Sequence, residues 1–509
     1  MNNYKRKITA FLRGNNFSSA VLTVIVIAAV VFVNIIAHAL TTVFINNREI
    51  KVQDDLSISS ASDVLFEKYI NDGRSVTVTF CSYENDVAKH DTGSFVYRTA
   101  KEFEKRYPGF IKLRFINAVT KLDSNGNSVS DELATYLDDG KNRINDTSVI
   151  FSTETSYRVL TDYYSGTGYV DFFTLDDSLN ITSYNGEETF ASSVLWALNE
   201  NHGTAYMTVG HGESANGTLY NILTSAGYNV KELDLRKNDV PEDAELVIIS
   251  NPIFDFERGA ENSSLITEYD RLVSYRNNGG KFIVFFEPLA KKLTVLEGFI
   301  GEFGISFSSI DSGERAIVKD SNNAITTDGF TLVAEFDDNS EAQKLQDVIR
   351  LRSGDNDGRV ILRNMSAINF REEKHLTLTP ILVSSSSSVL EAGGETIDSV
   401  GEYTIAAYSK YANDLQDPSG MLVMCDGMLT AGDAIVTDGY SNKDFLYSVF
   451  DKIFGKGEMP YGCRSIIYNE SILENLTMGS ARVYTILIMA IPVLITLLAT
   501  VILVRRKNR

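Results

Sequence analysis

Two apolar runs, one near each end, constrain this chain more than any other feature, because each carries a group of basic residues on its outer side. The first extends from Ser18 to about Ile45 and follows Lys5, Arg6, Lys7 and Arg13; the second, Val483 to Val504, precedes Arg505, Arg506, Lys507 and Arg509. The second run is 22 residues long, about 33 Å as a helix, which matches the thickness of a bilayer core. Basic residues are retained on the cytoplasmic side, so the sequence predicts two transmembrane helices (18–45 and 483–504) between cytoplasmic tails (1–17 and 505–509). Everything between is then extracytoplasmic. Ala37-His38-Ala39 has the shape of a signal-peptide cleavage site. The run, however, is longer than a signal core and stays apolar through Leu40, Val43, Phe44 and Ile45, which favours an uncleaved anchor. Asn34 and His38 are four apart and share a helix face, where polar groups at membrane depth seek a partner; the other reading places His38 at the outer headgroup level. Pro492 kinks the second helix without forbidding insertion.

Charge separates the middle from the ends. The two tails hold eight of the 47 Lys and Arg and none of the 67 Asp and Glu, which leaves 39 against 67, or −28, for the stretch between. So acidic a region repels nucleic acid and anionic headgroups. The three cysteines, Cys81, Cys425 and Cys463, are far apart, form no C-x-x-C pair and make no disulfide framework.

The middle reads as two α/β units, 55–185 and 186–455, with a connector at 456–482. In the first, Ser62 is expected to cap a helix through Ile70, and Ser75-Val-Thr-Val-Thr-Phe80 alternates as a strand should. A helix from about Phe95 to Tyr107 and a strand from Ile111 to Ile116 complete a thioredoxin-like β-α-β outline, although Cys81-Ser82-Tyr83 lacks the second cysteine of a redox pair. Asp123-Ser-Asn125-Gly-Asn127 has Ser128 and Ala134 where a calcium loop needs Gly and Glu, so it reads as a polar turn and no metal is expected. In the second unit, a helix at Glu188–Asn199 leads into strands at Thr204–Val209, Tyr228–Leu233, Leu246–Ile249, Lys281–Phe286, Tyr403–Tyr408 and Met421–Cys425. Helices ending at Ser225, Arg276 and Phe454 are interleaved with them. Apolar strands alternating with helices predict a parallel sheet covered on both faces. The Gly/Asp/Asn-rich stretch 304–392, with its Ser384–Ser388 run, is expected as an insertion or an elaborated edge.

The chain lacks most catalytic signatures. Gly279-Gly280-Lys281-Phe282 has neither the spacing nor the hydroxyl of a phosphate-binding loop. G-x-S-x-G and H-E-x-x-H are absent from the sequence. Cys425 ends a strand with no signature of a base to activate it, so it reads as a buried structural thiol. What remains lies beyond the carboxyl ends of the strands, where doubly wound sheets bind ligands: His211, Glu213, Asn251, Glu287 and Asp426. If they converge, they form a pocket for an envelope glycan, a small ligand or a partner loop. If they do not, they cap helices and satisfy turn amides, the commoner use of such residues.

The order of these features resembles the GldG-type auxiliary subunits of bacterial ABC transporters, associated with gliding motility. The resemblance rests on Asp55-Leu56-Ser57 after the anchor, Gly210-His211-Gly212-Glu213, Pro241-Glu-Asp-Ala-Glu-Leu-Val-Ile-Ile, Tyr275 through Pro288, and Cys425-Asp426-Gly followed by Asn442-Lys-Asp-Phe445. It implies a flavodoxin-like fold of the class I glutamine amidotransferase-like kind, without enzymatic residues, and partnership with an ABC permease and a separate ATPase. The expected protein is therefore a non-catalytic, two-pass accessory subunit in the bacterial cytoplasmic membrane, with no cofactor and no nucleic acid partner. The alternatives are a membrane-tethered amidotransferase-like or hydrolytic enzyme using His211 and Glu213, or a stand-alone envelope scaffold or sensor.

Overall fold

The alternation Val76-Thr-Val-Thr-Phe80 suits a pleated strand, and it forms β1 (Val76–Phe80), buried at every position but Thr77. The computed structural model describes residues 56–118, 130–140, 143–161, 168–175, 181–199, 202–213, 217–260, 265–320, 323–352, 358–412, 417–426, 429, 440–463 and 465–467. Nearly all fall in one unit, Ser57–Ile467. Helix α1 (Ala61–Asn71) precedes β1; α2 (Glu84–Val87), α3 (Gly93–Arg106) and β2 (Ile111–Phe115) follow it. With β3 (Val149–Ser152) and β4 (Tyr157–Leu160) they build a four-stranded sheet, β2-β1-β3-β4, in which β1 runs parallel to β2 and antiparallel to β3. Ser62 does not cap α1. The helix begins one residue earlier, and the Ser62 hydroxyl donates instead to the Glu187 carboxylate at 2.9 Å.

A hairpin of β5 (Phe173–Leu175) and β6 (Ile181–Tyr184) leads into α4 (Gly186–Leu198), which is buried at every position except Trp196. The second sheet then starts with β7 (Thr204–Thr208), α5 (Gly217–Ser225), β8 (Asn229–Leu233), β9 (Ala244–Ser250), α6 (Glu268–Asn277), β10 (Lys281–Phe286) and α7 (Thr294–Gly301). Next come β11 (Ile305–Phe307), β12 (Ile317–Lys319), β13 (Thr331–Phe336), α8 (Ser340–Arg352), β14 (Val360–Arg363), β15 (Ile368–Phe370) and β16 (Leu376–Val383). The chain continues through β17 (Val389–Ala392), β18 (Glu395–Thr396), β19 (Thr404–Tyr411), β20 (Ser419–Cys425), α9 (Asn442–Ser448) and β21 (Ile466–Ile467).

Nine of these strands form one sheet in the order β14-β13-β16-β19-β20-β10-β9-β7-β8. From β8 to β20 neighbours are parallel; from β20 to β14 they are antiparallel. The expectation of a uniformly parallel sheet is thus corrected. The segment 304–392, expected as an insertion or an elaborated edge, supplies β13, β14 and β16 to one edge of the sheet, and β19 runs against β20. Seven residues join β19 to β20, too few for the crossover of a dozen or more that a parallel pair requires.

The strands are apolar throughout because both faces are covered. In β10, Ile283 and Phe285 enter a core with Leu219, Ile222 and Leu223 of α5 and Phe445 and Leu446 of α9. Phe282, Val284 and Phe286 enter the opposite core with Leu272 of α6 and Leu296, Phe299 and Ile300 of α7. Each such fully buried side chain contributes about 1.5–3 kcal/mol relative to exposure. Helix α4 packs on β1, β3, β4 and α3 of the first sheet and on α5 of the second.

Among the described residues no helix is long and apolar enough to cross a membrane. The two predicted spans, with Asn34 and His38, lie outside the described residues, as does the Asp123–Asn127 turn. Among the described residues the fold class is therefore corrected to a four-stranded and a nine-stranded mixed sheet that share α4, with three small sheets beside them and no membrane-spanning helix.

Candidate functional site

The parallel part of the large sheet reads β8-β7-β9-β10-β20. In order of appearance that is 2-1-3-4-5, whose switch point lies between the first and third strands, here β7 and β9. The loops leaving those two strands carry His211 and the segment Asn251–Phe256. Both Gly210 and Gly212 have positive φ (113° and 76°), and a Cβ on Gly212 would stand 3.1 Å from that of Ile253. Glycine is therefore what lets the two loops close on each other. The His211 carbonyl accepts from the amides of Ile253 and Phe254, both at 2.8 Å.

The imidazole of His211 is buried and stacks on Phe256, with ring centroids 3.9 Å apart and planes 10° from parallel. Its Nδ1 lies 3.3 Å from Oε1 of Glu213, and its Nε2 lies 2.9 Å from Oε1 of Glu268. Glu213 is fixed in turn by the His211 amide (2.7 Å) and the Thr208 hydroxyl (3.0 Å). Glu268 accepts from the Glu257 amide at 2.7 Å. Burial works against the imidazolium, but the carboxylates of Glu213 and Glu268 outweigh it and hold the His211 pKa above the ordinary imidazole value. Burial likewise opposes charge on Glu213, and hydrogen bonds from His211 reverse it, leaving that carboxyl below its usual range. An imidazolium facing a carboxylate at each nitrogen has no lone pair with which to take a proton.

The structure brings His211 and Glu213 together; the other three predicted residues bond elsewhere. Asn251 ends β9 in the left-handed region (φ 51°), its amide bonded to the Phe285 carbonyl at 2.9 Å. Glu287 turns back on the Leu289 amide (3.4 Å). Asp426 accepts from the Arg363 amide at 2.7 Å and from the Leu429 amide, which ties β20 to β14. Two participants, Glu268 and Phe256, were not among the expected site residues. The capping box of Thr267 and Asp270 is a sequence signal that places Glu268 in the first turn of α6, at this same edge. Phe256 left no local signal.

Nucleophilic chemistry has little purchase here. Cys425 is fully buried, and burial pushes its thiol up to about 12. Cys81 is buried and pushed up to about 12 for the same reason. The loop after β10 is occupied by Arg315, whose guanidinium donates to the Ala290 carbonyl (2.8 Å) and to Glu297 (2.8 Å). Among the described residues no group of three or more His, Cys, Asp or Glu side chains is arranged to hold a metal ion.

The strand order defines the class: a flavodoxin-like doubly wound sheet, extended on one edge by antiparallel strands. No family model matches the chain, and no curated protein matches it either. Among solved structures, the chain is similar to the N-terminal domain of mmIFT52, at 14% identity over 50% of this chain and 99% of that one, with a TM-score of 0.36. It is also similar to a ThuA-like protein from Bacteroides uniformis (14% identity, 51% and 94% covered, TM-score 0.31). A glutamine amidotransferase from Thermotoga maritima matches at 12% identity, 50% and 99% covered, with a TM-score of 0.28. The expected GldG-type identity is corrected accordingly. No family model supports it, and among the described residues no helix is long and apolar enough to cross a membrane. The membrane-anchored accessory role, the two-pass topology and the cytoplasmic-membrane location are withdrawn with it. The permease and ATPase partnership rested on that resemblance alone.

Proposed function

We propose that this chain is a non-catalytic binding module that receives a protein partner at the carboxyl edge of its large sheet. One observation carries the reading. The switch-point crevice is filled by the chain's own His211, Phe256, Glu213 and Glu268, while Ile253, Phe254, Leu265, Ile266 and Leu289 on the surrounding loops are between 62% and 76% exposed. Large apolar side chains gathered at one edge are characteristic of protein interfaces, where aromatic and aliphatic anchors supply most of the affinity.

A photo-crosslinking side chain at position 254, in cells producing the full chain from its native locus, tests this. A dominant adduct is expected there, absent from the exposed control position Leu351 of α8 and abolished by Ile253→Asp. The same adducts at both positions sink the proposal. The enzymatic alternative makes His211 a base, against its charged setting. It predicts ammonia release from glutamine, or another hydrolytic turnover, that disappears in His211→Ala. No turnover above background is expected.

A further inference from the structure

The two buried carboxylates beside His211 are not held alike. Glu213 accepts hydrogen bonds at both oxygens, from the Thr208 hydroxyl at Oε1 and from the His211 amide at Oε2. Glu268 is bonded through one. Its Oε2 accepts from the Glu257 amide, whereas Oε1 is buried and makes no aligned hydrogen bond among the described residues. What stands against Oε1 is the His211 ring, with Nε2 2.9 Å away and each side chain 4% exposed. A buried carboxylate oxygen without hydrogen bonds needs an opposite charge beside it. The imidazolium supplies that charge.

Glu268 also ties the ring to the docking edge. The segment after β9 is pinned at one end by the His211 carbonyl, which accepts from the Ile253 and Phe254 amides, and at the other by Glu268 at the Glu257 amide. Phe256, between those anchors, stacks on the ring. The other charged groups around the ring are committed elsewhere or open to water. Arg236, on the loop after β8, pairs with Asp234 at 2.8 Å and donates to the Gly210 carbonyl at 3.2 Å. Asp255 caps α7 at the Val295 and Leu296 amides (2.8 and 3.1 Å), and Glu257 is exposed. A neutral ring would leave Oε1 of Glu268 uncompensated in a site closed to water. The carboxylate must then turn outward, and the Glu257 amide is released with it.

Building on the docking reading, we propose that His211 and Glu268 form a pH-sensitive latch on that edge: the imidazolium holds Glu268 inward and the Ile253–Glu257 segment ordered, and loss of its proton to alkaline solvent frees both. Amide hydrogen exchange of the full-length chain between pH 6 and pH 10, corrected for the intrinsic base-catalysed rate, tests this. Exchange in the 251–257 segment should rise at least about tenfold more than in β10, with its midpoint at the titration of the His211 ring signal read by NMR. Glu268→Gln keeps an acceptor for the Glu257 amide and removes the charge that needs compensation, so its profile should stay within about twofold. A smaller wild-type rise, a midpoint away from that of His211, or a Glu268→Gln profile that climbs as the wild type does overturns the latch. Should that variant fail to fold, the coincidence of the two wild-type midpoints decides. A specific adduct at position 254 with a flat exchange profile overturns the latch and leaves the docking reading standing; a rising profile without a specific adduct does the reverse.

Discussion

Two histidines in this chain sit in opposite electrostatic settings, and pH should pull their contributions apart. His211 faces two carboxylates and has its pKa raised above 6.5. Its folded state binds the proton more tightly than the unfolded chain, so its contribution is full below about 6.5 and is lost as pH rises through the folded value. Glu213, lowered below 4.5, contributes above that value and loses its share as pH falls through the folded pKa. His202 is the reverse of His211. Stacked on Trp196 at 3.8 Å, it is lowered to about 4 by burial and then by the cations Lys456 and Arg158. The unfolded chain therefore takes up this proton first, and stability falls as pH drops from 6.5 towards 4. Removing the His211 side chain strands two buried carboxylates, and His211→Ala should cost about 3–5 kcal/mol near pH 6 and less at alkaline pH. Thermal midpoints of wild type and variant across pH decide this; a constant difference contradicts the ion pair. His202→Phe should instead gain on wild type as the solution is acidified, read in the same scan.

At the scale of elements, α4 holds the most consequential contacts. Glu187, at its first turn, accepts from the Ser59 amide (2.8 Å), the Ser59 hydroxyl (2.6 Å) and Ser62. Glu188 accepts from Lys443 and Tyr447 of α9. Glu188→Ala removes the carboxylate that faces both the Lys443 ammonium and the Tyr447 phenol, leaving the ammonium only the Cys463 carbonyl (3.3 Å) and the Ser465 hydroxyl (3.5 Å), and a loss of about 3–5 kcal/mol in urea denaturation is expected. A change under about 1 kcal/mol would mean that water replaces the carboxylate. Sequence patterning located this helix from its apolar spacing, and it located β7, β9, β10 and β20 because strands covered on both faces are continuous apolar runs. Strand direction was not legible. Thr404–Tyr411 looks the same in sequence whether it runs with β20 or against it; only the seven-residue link decides. The edge strands β13, β14 and β16 were obscured by turn residues around them. In the site, His211 and Glu213 are neighbours in the chain and could be read together, whereas Glu268 arrives from 57 positions away on another element. Arg315 looked like any loop arginine, because the carbonyls it serves belong to the distant loop after β10.

The whole described unit should unfold as one. The first sheet packs on the same helix whose carboxylates grip α9 and the lead segment at Ser59, so neither sheet can open without stripping α4. Trp196, the sole tryptophan, sits on that helix and reports its environment directly. Its emission and the far-ultraviolet circular dichroism should follow a single coincident transition in denaturant; two separated transitions would show that the sheets are independent. A helix shared in this way also bears on descent. Two sheets that each kept a private core could be shuffled separately between genes, with the joint falling anywhere in the link. Here a joint inside 186–198 would deprive both partners of a wall at once, so the pair is inherited whole or the helix must travel with whichever half departs.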